Sequence, residues 1–157
     1  MWAMTREHSN QDRLDLLRGV PLRIAAATNG VADATLHQRT AEEPWSVNDI
    51  LAHIRAAADN RMRFMRRMAT GEHAELAYVS PRSELQRTDY VDRPFAENLA
   101  AFTADRATFL AWLETLPAQA WNREVSIRDR PERIATYTRY LCEHELAHCE
   151  QIEALVG

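Results

Sequence analysis

Hydrophobic residues recur along this chain at intervals of three and four, and no stretch shows the strict alternation of a strand set. Four long helices follow from that spacing. The first covers residues 11–28, with Pro21 expected to kink or restart it and Asn29-Gly30 to stop it. The second opens at Ser46, where Ser46-Val47-Asn48-Asp49 sets a capping serine three residues before an acid, and it continues to Ala69, just ahead of Thr70-Gly71. The third covers residues 94–116 and stops before Pro117; the fourth starts at Pro131, a residue type favoured in a first helical turn, and reaches Leu155. Residues 72–93 form a connection longer than ordinary loops, which predicts a crossover, a short helix or a lid. The pattern is that of an all-α fold, a four-helix bundle with a long crossover between helices 2 and 3, and residues 1–157 make a single domain.

The helical stripes carry unexpected polar residues. On the fourth helix Ile134, Tyr137, Leu141, His144, His148, Ile152 and Leu155 share one face, so two histidines stand one turn apart amid apolar neighbours. On the second, Ile50, His53, Ala57, Asn60, Phe64 and Met68 share a face; on the third, Phe95, Leu99, Phe102, Arg106, Leu110 and Leu113 do. A buried imidazole needs partners for both nitrogens, and one metal ion satisfies three rings together. Histidines at i and i+4 point the same way, and a third from a facing helix completes a trigonal set that leaves positions open. His53, His144 and His148 are therefore the candidate metal ligands. His8, His37 and His73 lie near a terminus or in connections and read as surface residues.

Composition narrows the chemistry. All 19 basic residues are arginine, so no lysine is available for a Schiff base or as a nucleophile. The formal net charge of -4 argues against a dedicated nucleic-acid binder, and the cluster Arg61, Arg63, Arg66 and Arg67 reads as a solvated face. No apolar run approaches the roughly 18 residues of a membrane span, and the first residues lack the apolar centre of a signal peptide, so a cytoplasmic protein is expected. Cys142 and Cys149 sit about 10.5 Å apart along one helix, beyond the reach of a disulfide, and read as packing residues.

His144-Glu145-Leu146-Ala147-His148 matches the zinc-peptidase string His-Glu-x-x-His, but no third ligand of that kind follows in the remaining residues. Glu145-Leu146-Ala147-His148 is also half of a di-iron signature, whose second half and further glutamates are missing at inward positions.

Pro44-Trp45-Ser46-Val47-Asn48-Asp49-Ile50-Leu51-Ala52-His53-Ile54, followed far downstream by His144-x-x-x-His148 with Gln151-Ile152, resembles the DinB/YfiT-like superfamily; Leu17-Arg18-Gly19-Val20-Pro21 has the same character. The resemblance implies a four-helix bundle with a long second-to-third crossover, a divalent metal on three histidines, and frequent homodimers. Relatives include metal-dependent transferases that use bacillithiol or mycothiol, and a mycothiol-dependent isomerase.

Three readings are then open. In a thiol transferase acting on an electrophilic small molecule, zinc, nickel or iron would lower the pKa of a low-molecular-weight thiol, Arg106 would bind an acidic group, and Asn60 and Tyr137 would line the pocket. Arg106 could equally be paired in the core. In a hydrolase, Glu145 would act as base to metal-activated water, although it is offset about 100° from His144 around the helix. In a non-catalytic module, the stripe Ala135, Cys142, Leu146, Cys149 and Val156 would sit between neighbouring helices or join a second subunit. Asp49 could orient His53 or serve only as a cap, and Gln151 could contact a bound water.

Overall fold

The computed structural model describes residues 9–71, 80–127 and 129–157. Four long helices dominate it: α1 (Asn10–Thr28), α3 (Val47–Thr70), α5 (Phe95–Glu114) and α7 (Ile134–Val156). Short helices α2 (Asp33–Leu36), α4 (Pro81–Gln86) and α6 (Ala118–Asn122) lie in the connections, with a 3-10 turn at Tyr90–Asp92. Round the bundle, α1 packs on α7, α7 on α3, α3 on α5 and α5 on α1, so the crossover carries the chain between neighbours α3 and α5.

Both long N-terminal helices start from reciprocal caps. Ser46 Oγ accepts from the Asp49 amide at 3.0 Å while Asp49 accepts from the Ser46 amide at 2.9 Å, as the sequence predicts. Ser9 and Asp12 do the same for α1. Gly71 ends α3 in the left-handed conformation at φ 70°, which a residue with a Cβ adopts only with strain.

Two expectations are corrected. Pro21 does not break α1, which runs unbroken to Thr28. The missing Pro21 N–H leaves the Leu17 carbonyl without its helical donor, and Arg106 Nη1 supplies one at 3.0 Å. Pro131 does not open the last helix. It lies in β2 (Arg130–Glu132), paired antiparallel with β1 (Val125–Ile127) in a hairpin whose turn holds Asp129 at φ 62°. Each strand has only three residues, too few for alternation to stand out from loop sequence.

The core divides into two clusters, one around Leu17, Met65, Leu113 and Leu141, the other around Ile24, Ile50, Phe102 and Ile152. Cys142 and Cys149 are free and buried inside the chain: Cys142 Sγ approaches the Arg13 carbonyl at 3.6 Å, and Cys149 packs in the second cluster. Cys142, Leu146 and Cys149 are therefore packed within the monomer, between neighbouring helices. Among the described residues no helix is long and apolar enough to cross a membrane.

Candidate metal centre

α3 carries His53 in its second turn, and α7 carries His144 and His148 one turn apart. Because α3 and α7 are neighbours, the three rings converge. A nitrogen of each lies within 4.8 Å of the others, and the ring centroids are 4.8, 4.9 and 4.6 Å apart. His53 Nε2 faces His144 Nε2 at 2.8 Å. Nitrogens bound to one tetrahedral ion at about 2.1 Å stand about 3.4 Å apart, so this pair would open by about half an ångström to share one. Nδ1 of His144 is buried without a hydrogen-bond partner, a cost that a ring held for its other nitrogen can carry. Three converging imidazoles fit a divalent ion.

Electrostatics favour neutral rings. Burial, reinforced by the charges of His148 and Arg61, brings His53 down to about 4. Burial with the same neighbours and His53 brings His144 down to about 3. Both therefore present lone pairs at neutral pH, the form a metal requires. Arg61, which reads as solvated in the sequence, lies close enough to act on both rings.

Residues before α3 build one wall. Trp45 packs edge-on to His53, centroids 5.2 Å apart, and remains 38% exposed, so it stands at the rim. Gln151, one turn beyond His148, hydrogen-bonds His148 Nδ1 through Oε1 at 2.9 Å, where the sequence suggested a water contact. Its Nε2 donates to Glu43 at 3.5 Å. Nothing in the chemistry of Glu43 alone marked it; the i, i+3 spacing of His148 and Gln151 was the available signal. Asp49 does not touch His53: it caps α3 and takes a bidentate pair from Arg39 at 2.6 and 2.7 Å.

The other expected site residues fare differently. Arg106 and Glu145 form a bidentate pair at 2.7 and 2.5 Å, with side chains 3% and 0% exposed. Both carboxylate oxygens are taken, and the second function of Arg106 is to hold the Leu17 carbonyl. The two side chains are thus committed to each other in the core, because the offset of Glu145 from His144 turns it toward α5. Asn60 is buried two turns past His53 on α3. Tyr137 lies two turns before His144, half-buried, its ring 6.4 Å from that of Phe64. Arg63 pairs with Glu84 at 2.5 Å and Arg66 lies over the Trp112 ring at 5.1 Å, so neither is a free basic surface. His37 sits beside Asp33 at 3.7 Å; His8 and His73 lie outside the described residues.

The three-dimensional arrangement has known counterparts. YfiT from Bacillus subtilis, described as a probable metal-dependent hydrolase with an unusual four-helix bundle topology, superposes with a TM-score of 0.73 at 17% identity, covering 98% of this chain and 92% of that one. The mycothiol-dependent maleylpyruvate isomerase superposes with a TM-score of 0.73 at 16% identity, covering 92% of this chain and 61% of that one, so this chain spans less than two thirds of its length. No curated protein sequence matches. The sequence model described as DinB superfamily matches residues 16–152, and the chain belongs to that superfamily.

Proposed function

We propose that His53, His144 and His148 hold one divalent metal ion, and that the protein uses it to transfer a low-molecular-weight thiol of the bacillithiol or mycothiol type to an electrophilic small molecule. The observation that carries the metal reading is the convergence of the three rings within 4.8 Å. Zinc, nickel and iron all suit imidazole donors. When bound, such an ion lowers the pKa of a coordinated thiol and so supplies thiolate at neutral pH.

The choice of thiol transfer over hydrolysis rests on Glu145. A hydrolase built on His-Glu-x-x-His needs that carboxylate free to accept a proton, whereas here Arg106 occupies both oxygens. Thiolate attack asks no such base of the chain. The chain's own work is then positional. The histidines orient the ion, Trp45 screens the His53 side, and Asn60 and Tyr137 line the approach along α3 and α7. With Arg106 committed to the core, an acidic group on thiol or substrate is bound elsewhere. Low-molecular-weight thiols are kept reduced in the cytoplasm, which is where this reading places the protein.

The test is a screen of metal-loaded protein with low-molecular-weight thiols against alkylating and acylating electrophiles, read by mass spectrometry. Thiol transfer gives a thioether or thioester product that disappears in His144→Ala. Turnover of ester or amide substrates without any thiol would favour the hydrolase, the activity suggested for the YfiT structure.

A further inference from the structure

We propose that Glu43 and Gln151 act as positioning residues that fix the tautomer and orientation of His148; the proposal rests on the metal-centre reading above. The chain of contacts admits one arrangement. A carboxylate can only accept, so the Gln151 side chain must turn its NH2 toward Glu43, where Nε2 stands 3.5 Å from Oε1. Its carbonyl oxygen then faces His148 Nδ1 at 2.9 Å and can only accept from it. His148 Nδ1 therefore carries a proton, which in the neutral ring leaves the lone pair on Nε2 for the cluster with His53 and His144.

Glu43 is itself held. Its amide donates to Thr40 Oγ1 at 2.9 Å and its carbonyl accepts from the Thr40 amide at 2.9 Å, closing a tight turn. The bidentate Arg39–Asp49 pair ties the start of that turn to α3. The segment from Arg39 to Ser46 thus reaches both helices of the centre, through Trp45 on His53 and through Glu43 and Gln151 on His148. Orienting partners of this kind matter to metal sites because they set ring orientation and donor strength; losing one typically costs about 10–100-fold in affinity.

The tautomer is read on metal-free protein by long-range 1H–15N correlation of the histidine rings, and affinity by zinc titration. Wild-type His148 is expected as the Nδ1–H tautomer. Gln151→Leu is expected to give mixed tautomers and zinc binding weaker by about tenfold or more. Glu43→Leu should move both readouts the same way by less. Gln151→Glu alone sets two carboxylates together and should disturb the ring, and combining it with Glu43→Gln should restore the Nδ1–H tautomer; this pair also serves if Gln151→Leu does not fold. A wild-type Nε2–H tautomer, or a tautomer and affinity unchanged in Gln151→Leu, overturns the proposal. Should the wild type bind no zinc, the metal reading fails, and the tautomer measurement alone still decides the roles of Gln151 and Glu43.

Discussion

Arg106 occupies the place that Pro21 leaves empty: its Nη1 donates to the Leu17 carbonyl, the oxygen a residue with an amide hydrogen at position 21 would have bonded. The same guanidinium grips Glu145 on α7, so one side chain from α5 joins α1 and α7 deep in the bundle. Removing one partner of a buried pair strands the other charge. Arg106→Ala is therefore expected to destabilise by about 3–5 kcal/mol, and Glu145→Ala similarly. Arg106→Met with Glu145→Leu should cost much less than either single change. Adding Pro21→Ala should recover part of the remainder, because the alanine amide can again donate to the Leu17 carbonyl. Urea unfolding of the series measures this; additive losses would show that the three residues are not coupled.

The histidine cluster makes metal-free protein sensitive to mild acid. His53 and His144 have folded pKa values of about 4 and 3, below the ordinary 6.5, chiefly because of burial. The unfolded chain takes up these protons first as pH falls. Stability should hold above pH 6.5 and decline between 6.5 and 4, by up to about 1.4 kcal/mol per pH unit for each ring. Denaturant unfolding at pH 7.5, 6 and 5 measures the slope, and His53→Ala should flatten it. A wild-type slope of zero across that range contradicts neutral, buried rings.

Neither cysteine should take part in chemistry. Burial pushes both the Cys142 and Cys149 thiols up to about 12, so thiolate is scarce at neutral pH. A disulfide reagent should find no reactive thiol in native protein and two after unfolding. Rapid reaction of either cysteine in the folded state would reopen the possibility that the chain supplies its own sulfur nucleophile.

Much of this is legible in the sequence for definite physical reasons. The 3.6-residue period of α3 and α7 places His53, His144 and His148 on inward stripes, and Ser46 with Asp49 marks the start of α3 chemically. What the sequence hides is of two kinds. The pattern Val125-Ser126-Ile127 is too short to announce a strand, so Pro131 reads as a helix start. Partner choice between helices is also invisible. Arg106 and Glu145 read as site residues because each is charged on or beside an inward stripe, and only the folded bundle shows that they face each other. Glu43 carries no signal for the same reason, since its value lies in where the turn at Thr40 sets it relative to α7.

The most direct measurement is zinc binding by isothermal titration to protein prepared without chelators or nickel columns, alongside its His53→Ala and His148→Ala variants. One ion per chain is expected for the wild type, with thermal stabilisation of about 2.7 kcal/mol at a hundredfold excess of zinc over Kd, and loss of both in the two variants. Undiminished binding in those variants, or no stoichiometric binding to the wild type, would contradict a shared cation between α3 and α7.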